Sequence, residues 1–173
     1  HMLSKNVIHR LATDTKELFD FYEIKRLRKS KKQKSEDISG LLETAMEDLI
    51  EGAIAPKVDH EPDIILDGKP VEIKTTASER WRGGTFSKRA GHFLFVTWKI
   101  DKDNVPSFFI AGIDLEEKDW DTVHYDNYYA TFYSKKQLHE NRDKVNFYHG
   151  SLDAYQRGKQ TCIKVNACPI QDG

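Results

Sequence analysis

The fold is decided by residues 61–74, which read Glu61-Pro62-Asp63-Ile64-Ile65-Leu66-Asp67-Gly68-Lys69-Pro70-Val71-Glu72-Ile73-Lys74. The pair Asp67-Gly68 is a strong signal for a two-residue turn that joins two antiparallel strands. Counting outward from that turn pairs Ile64 with Val71. The sequence therefore predicts a tight β-hairpin whose register is fixed by its turn.

The predicted hairpin brings charged side chains together. The same count places Asp63 opposite Glu72, with β-carbons roughly 4.5–5.5 Å apart, where like charges are destabilising. Lys74 lies on the same face as Glu72, because side chains repeat every two residues along a strand. Two converging acids and a lysine indicate a site for a hard divalent cation with a water molecule beside it.

Charge is distributed in blocks along the chain. Residues 1–34 carry a net charge of +6, residues 35–67 carry −9, residues 68–99 carry +5 and residues 100–173 carry −3. An acidic block between two basic ones is expected of a metal centre within a polyanion-binding surface. The basic run at residues 25–34 is interpreted either as a solvated helix end and linker or as a contact for the phosphate backbone.

Two helices are predicted before the hairpin. Asp14 is expected to cap the first, and Ser35 the second, which runs from about residue 36 to residue 53 with one apolar face. Glu43 falls beside the edge of that face and is the helical acid best placed to reach a site. Glu47 lies about 40° further around the helix and is the reserve candidate.

Strand signals dominate the rest of the chain. Residues 92–100 and 107–113 read as strands, the first apolar on both faces as in a central strand. Further strand signals run from 122 to 133 and from 161 to 166, with a short helix after Ser134. This order predicts an α/β domain with a mixed sheet. With 173 residues and no apolar run of the roughly 18–20 residues that a membrane span needs, we expect one domain in the cytoplasm, with no membrane partner.

The spacing Pro62-Asp63, eight residues, then Glu72-Ile73-Lys74 resembles the signature of the PD-(D/E)XK nuclease superfamily, which includes many type II restriction endonucleases. The resemblance covers roughly residues 36–100. It implies a restriction-endonuclease-like core, a mixed central β-sheet flanked by α-helices. It also implies a single nuclease domain over residues 1–173, with the catalytic core at about 36–113, a basic N-terminal helix and linker at 1–34, and recognition and dimerisation elements at 114–173.

The same resemblance assigns roles to the candidate site residues. Asp63 and Glu72 are expected to bind Mg²⁺, for which Mn²⁺ can substitute, and the carbonyl of Ile73 to join them. Lys74 is expected to position and polarise the attacking water, either as general base or by orienting it. Glu43 matches, by its placement, the glutamate that the preceding helix commonly contributes.

A polar, glycine-containing loop after the hairpin is the candidate DNA contact. Arginine can read guanine in the major groove, and glycine lets the backbone approach a phosphate closely. An ordinary exposed loop is the alternative interpretation. The residues predicted to bind DNA are Arg80, Trp81, Arg82, Gly83, Gly84, Ser87, Lys88 and Arg89.

Together these features predict a Mg²⁺-dependent DNA endonuclease, most like a type II restriction enzyme. A homodimer on double-stranded DNA would cut both strands of a palindromic target by two-fold symmetry. A Holliday-junction resolvase or repair nuclease of the same superfamily is one alternative, although those chains tend to be shorter and more uniformly basic. A DNA-binding module without catalytic activity is the alternative of another class.

Overall fold

The computed structural model describes residues 3–59, 61–84, 89–157, 160–166 and 168–169. Its helices are α1 (Lys5–Lys25), α2 (Lys31–Leu49) and α3 (Lys135–Glu140). Its strands are β1 (Ile64–Leu66), β2 (Lys69–Thr76), β3 (Arg80–Arg82), β4 (Gly91–Ile100), β5 (Pro106–Leu115), β6 (Asp121–His124), β7 (Tyr129–Ser134), β8 (Asn146–His149), β9 (Ser151–Arg157), β10 (Gln160–Asn166) and β11 (Cys168–Pro169).

The predicted hairpin is confirmed in its register. Strand β1 pairs with β2 through Ile64 and Val71, with Leu66 opposite Lys69 at the turn. Both turn residues have positive φ, 49° at Asp67 and 75° at Gly68. This is the conformation that a type I′ turn requires and that Asp-Gly adopts readily.

The main sheet is mixed, which confirms the predicted fold class. Its order is β1-β2-β4-β5-β11, and β8 also pairs with β5. The β2–β4 pair is parallel and the β4–β5 pair antiparallel. A smaller sheet has the order β3-β7-β6, and β9 and β10 form an antiparallel pair.

Each face of the main sheet packs on a different core. Val71 and Ile73 of β2 belong to the cluster that includes the buried residues of α1 and α2. Phe93 and Phe95 of β4 belong to a second cluster, formed with the small sheet and α3. The chain therefore has a helical layer, a central sheet and a second sheet layer. None of the helices in the described ranges is long and apolar enough to cross a membrane.

Helix α1 begins earlier than predicted, so Asp14 is not its cap. The hydroxyl of Ser4 accepts a hydrogen bond from the amide of Val7 and caps the helix at its true start. Asp14 lies inside the helix, where its carboxylate pairs with Arg10 at 2.7 Å. No glycine or proline interrupts Lys5–Lys25, so the first available cap prevails.

Helix α2 likewise begins at Lys31 rather than at residue 36. Ser30 and Gln33 form a reciprocal capping box, which satisfies the exposed amides one turn before the predicted start. The predicted cap, Ser35, is a buried residue within the helix, and its hydroxyl accepts a hydrogen bond from the Trp98 indole at 2.9 Å. The basic run therefore contains the first turn of α2 instead of ending in a linker.

The three tryptophans of the chain are buried, and each indole N–H has an oxygen partner. Trp98 lies in the helical core, where it donates to Ser35. In the other core, Trp81 donates to the carbonyl of Val96 at 2.9 Å, and Trp120 donates to the carbonyl of Arg89 at 2.7 Å. These bonds fix the rings against the central sheet.

Replacing Ser35 by alanine is expected to destabilise the protein by about 1–3 kcal/mol, because the buried Trp98 N–H loses its acceptor. Chemical denaturation of Ser35→Ala, Trp98→Phe and the double variant would measure the coupling between the two side chains. In the Trp98→Phe background the serine substitution should cost much less. An equal cost in both backgrounds would show that the hydrogen bond contributes nothing.

Candidate active site

The candidate site lies where β1 ends and the edge of β2 opens. The β1–β2 ladder stops at Ile64 and Val71, so Asp63 precedes the paired residues rather than facing Glu72 across a ladder. Its carboxylate accepts a hydrogen bond from the backbone N–H of Ile73 at 2.8 Å. The predicted repulsion between directly opposed Asp63 and Glu72 is therefore not found. A hydrogen bond instead holds Asp63 against the peptide group that joins Glu72 to Ile73.

Glu43 of α2 approaches this edge from the helical layer. Burial raises the pKa of the Glu43 carboxyl to about 7, and the negative charge of Asp63 adds to the shift, whereas Lys57 opposes it. The half-buried position follows from its place beside the apolar face of the helix. The helical geometry therefore brings together the two acids that the sequence placed twenty positions apart.

Glu47, the reserve candidate, has a structural role in this arrangement. Its carboxylate accepts a hydrogen bond from the amide of Ala55 at 2.7 Å, in the segment that leads from α2 to β1. An isolated bridge between Ile54 and Ile65 holds the same segment against the hairpin. Glu47 thereby fixes the connection that positions Glu43 relative to Asp63.

Glu72 and Lys74 lie on the face of β2 turned away from the helices. Val71 and Ile73 pack into the helical core, and alternation along the strand turns the intervening side chains to the other face. Both charged residues are half-buried. The four candidate residues thus surround the open edge of β2, with Glu43 on the helical side, Asp63 at the edge, and Glu72 and Lys74 on the far side.

The chemistry of these side chains fits a hard cation. Carboxylate oxygens are the ligands that Mg²⁺ prefers. Burial is the largest cause of the raised pKa of Glu43, and the charge of Asp63 is the second. Across the residues that the structure describes, no three His, Cys, Asp or Glu side chains are gathered closely enough to hold a metal ion. The described structure therefore does not gather the predicted metal ligands into one cluster, and Ile73 contacts Asp63 through its amide and not through the predicted carbonyl.

Trp81, predicted to contact DNA, is a core residue. The side chain is 1% exposed, and its ring stacks on Phe95 with centroids 4.5 Å apart. Strand β3 alternates exposed, buried, exposed, so the tryptophan points inward while its two arginine neighbours point outward. The prediction for Trp81 was wrong because a strand, rather than a loop, spans this segment.

Two other members of the predicted DNA-binding set also pack inside. Arg89 is 5% exposed, and its guanidinium lies 2.7 Å from the carboxylate of Glu117. Gly83 donates its amide to the carbonyl of Thr131 at 2.7 Å. A β-carbon at Gly83 would lie 2.2 Å from the Thr131 hydroxyl, so this glycine permits close packing on β7 rather than approach to a phosphate.

Arg80 and Arg82 remain at the surface, on the outer face of the small sheet. Phe132 of β7 lies opposite Arg82, and the Arg80 guanidinium lies 3.7 Å from the centre of the Phe132 ring. Gly84 is exposed beside them. Ser87 and Lys88, which were also predicted to bind DNA, lie outside the described residues.

The structure adds a residue that the sequence analysis did not include in the site. A cavity of about 410 Å³ is lined by Tyr129 and its neighbours in β7 together with the β3 end: Arg82, Gly83, Gly84, Arg89, Tyr129, Ala130 and Thr131. Tyr129 is 48% exposed, next to the buried Ala130. The signal was present in the close spacing of Tyr125, Tyr128 and Tyr129, all three of which are exposed.

Glu43→Gln should stabilise the metal-free protein at high pH. The folded state keeps a proton on Glu43 up to about pH 7, whereas the unfolded chain releases it near 4.5, so the free energy of unfolding falls as pH rises through that window. Glutamine removes this loss, by about 1–2 kcal/mol after allowance for solvent screening of a half-buried group.

Denaturation in EDTA at pH 4 and pH 8 would measure this effect. The advantage of Glu43→Gln should be present at pH 8 and absent at pH 4. Exposed Glu51 belongs to the same acidic block, so Glu51→Gln is the matched control and should show no such difference. Equal stabilities of Glu43→Gln and the unsubstituted protein at both pH values would contradict the raised pKa.

Comparison with known proteins adds no relative to this picture. No protein-family model matches the chain, and no curated protein matches it significantly.

Proposed function

We propose that this protein is a Mg²⁺-dependent DNA endonuclease that hydrolyses phosphodiester bonds at the open edge of β2. The observation that carries the proposal is the hydrogen bond from the Ile73 amide to Asp63. This bond holds Asp63 against the peptide group that follows Glu72. Asp63 is also close enough to Glu43 for its negative charge to contribute to the raised pKa of the Glu43 carboxyl. A type II restriction enzyme acting as a homodimer on cytoplasmic double-stranded DNA is the form of this activity that we favour.

The acids would serve to hold the cation and through it the scissile phosphate. Asp63 and Glu72 are the side chains that would bind Mg²⁺, with the carbonyl of Ile73 as a further ligand, and Glu43 would assist from the helical side, beside Asp63. When bound, Mg²⁺ lowers the pKa of a coordinated water and neutralises charge that develops on the phosphate. The Ile73 amide orients Asp63 before any ligand arrives, which reduces the reorganisation that binding requires.

Lys74 would act on the attacking water. Its side chain follows Glu72 by two residues on the same face of β2, so the two groups lie roughly 7 Å apart at their α-carbons. An ammonium at that distance can donate a hydrogen bond to a water near the metal and stabilise the anionic transition state. This role would explain why a lysine follows Glu72 on the same face of β2.

DNA recognition is assigned to the outer face of the small sheet. Arg80 and Arg82 project from alternate positions of β3, and the Phe132 ring supports the Arg80 guanidinium. A guanidinium held flat on a ring keeps its edge available for hydrogen bonds. Arg82, which lines the cavity with Tyr129, is the residue that we expect to read a base.

Asp63→Asn and Lys74→Ala should each abolish cleavage while leaving DNA affinity within about threefold, because both residues act on the reacting phosphate and not on the bulk of the duplex. Plasmid cleavage with Mg²⁺ and a binding assay in EDTA would measure the two properties. Lys69, exposed at the start of the same strand, provides the control: Lys69→Ala should cut normally. Normal cutting by Lys74→Ala would disprove its role.

The products of the same plasmid assay distinguish the candidate functions. Discrete bands with defined ends indicate a restriction enzyme. A preference for four-way junctions over linear duplex indicates a resolvase. If plasmids and branched substrates both stay intact with either Mg²⁺ or Mn²⁺, the proposed enzyme activity is contradicted and a DNA-binding module without catalytic activity is favoured.

Arg82→Ala should change which sequences are cut, because a lost arginine–guanine contact costs about 1–3 kcal/mol of discrimination at one base pair. Sequencing of the cleaved ends from a random-sequence library would reveal relaxed preference at one position. The exposed Arg142, which lies outside the small sheet, supplies the control, and Arg142→Ala should leave the preference intact. An unchanged sequence profile for Arg82→Ala would exclude it from base reading.

A further inference from the structure

The turn between α1 and α2 is strongly cationic and has no part in the candidate active site. We call residues 25–34 the basic turn; this segment has seven Lys or Arg residues and no Asp or Glu. Lys25, Arg26, Arg28, Lys31 and Lys32 are exposed. Asp37 of α2 balances part of this charge, because its carboxylate lies 3.6 Å from the Lys29 ammonium, and a bound anion would balance more of it.

The helix dipoles favour only two of these seven cations. Lys25 and Arg26 lie at the C-terminal end of α1, where the helix dipole favours cations. Lys31 and Lys32 lie in the first turn of α2, which contains no acid, and there the dipole opposes them. The positive charges of Lys31 and Lys32 at this position destabilise α2, so a partner that supplies negative charge there would stabilise the helix.

The basic turn is held in a defined shape. Arg26 adopts a left-handed conformation with φ 56°, and the amide of Leu27 donates to the carbonyl of Tyr22 at 2.8 Å. The capping box of Ser30 and Gln33 fixes the start of the next helix. Because this backbone is already fixed, binding has to order only the side chains of the cations and not the loop that carries them.

A groove opens beside the turn. It encloses about 430 Å³ and is lined by residues that include Arg26, Arg28, Lys34 and Asn104, with Glu23 as its acidic member. The Lys34 ammonium lies 5.6 Å from the centre of the Phe19 ring. The groove therefore places three cationic side chains around one opening, and phosphate groups are anions that this charge would attract.

The basic turn and the candidate active site share one side of α2. Lys32 and Glu43 are eleven residues apart, so they differ by about 20° around the helix and by about 16 Å along it. Ser39 lies between them on the same stripe, and its hydroxyl is 2.6 Å from that of Thr75 in β2. Lys32, Ser39 and Glu43 therefore mark one flank of α2, which leads from the basic turn to the open edge of β2.

We propose that the basic turn binds the sugar–phosphate backbone of duplex DNA about five base pairs from the phosphate in the active site, since 16 Å corresponds to about five steps of 3.4 Å. The distance rests on the proposed function, because it is measured from the proposed site of cleavage. The backbone contact itself does not, and it is sequence-independent because phosphates are alike at every step.

The test is the salt dependence of DNA binding by the full chain in EDTA, where no cleavage occurs. Fluorescence anisotropy with a 24-base-pair duplex between 50 and 250 mM KCl would give the slope of log K against log salt. Lys31→Gln/Lys32→Gln should reduce that slope by about 1–2, since each lost phosphate contact removes about 0.9. Affinity at 100 mM KCl should fall about tenfold.

A matched control removes the same charge elsewhere. The ammonium groups of Lys118 and Lys136 are on side chains 80% and 64% exposed, beside Glu116 and Glu140. Lys118→Gln/Lys136→Gln should keep the original slope. If both double variants reduce the slope equally, net charge alone is responsible and the proposal fails.

Glu36 supplies a test of the opposite sign. It is exposed and lies about 40° from Lys32 and about 20° from Glu43 around α2, so it is on the side that faces the proposed duplex. Glu36→Gln should tighten duplex binding about threefold, because it removes a negative charge next to phosphates. Weaker binding by Glu36→Gln would place the duplex elsewhere.

The outcomes separate this inference from the proposed function. Binding with a reduced slope in the double variant supports the basic turn even if no substrate is ever cleaved. Cleavage by the unsubstituted protein with an unchanged slope in the variant supports the nuclease and overturns the basic turn. Sedimentation with vesicles of phosphatidylserine, lost in Lys31→Gln/Lys32→Gln while DNA binding is kept, would also overturn it and assign the turn to a lipid surface.

Discussion

The two-residue turn at Asp67-Gly68 is the constraint on which the rest of the structure depends. Positive φ at both residues sets the register of β1 on β2, and the short β1 ends at Ile64. Because β1 ends there, the amide of Ile73 is left for the Asp63 carboxylate to bind. A longer β1 would pair that amide with its own backbone and displace the acid from the edge.

The central sheet allows one site to draw residues from two layers. Glu43 arrives from the helical side, whereas Glu72 and Lys74 face the layer that contains the small sheet. Asp63 lies between them at the open edge of β2, so side chains from both faces of the sheet can approach the same edge. The same arrangement separates the two cores, which pack on opposite faces of the central sheet.

Local signals made the hairpin predictable, and competition between local signals made the helix starts unpredictable. Asp-Gly specifies its turn almost alone, and Ser134 was correctly placed before a short helix. Ser30 with Gln33 satisfies the same capping rule as Ser35. The surrounding run of cations, which is unusual in a first helical turn, made this earlier helix start harder to recognise. The outward and inward alternation of Arg80, Trp81 and Arg82 was legible as a strand, but the glycines that follow favoured a loop. The hydrogen bond between Asp63 and Ile73 depends on the pairing of β1 with β2 stopping at Ile64, and no sequence pattern indicates where that pairing stops.

The burial of all three indoles has a consequence for spectroscopy. Trp98 reports on the helical core, whereas Trp81 and Trp120 report on the core beneath the small sheet. Each ring is shielded from solvent and from any molecule bound at the surface. A change in tryptophan emission when DNA is added would therefore signal a rearrangement of the packed interior, and quenching by direct stacking on a base would not contribute to it.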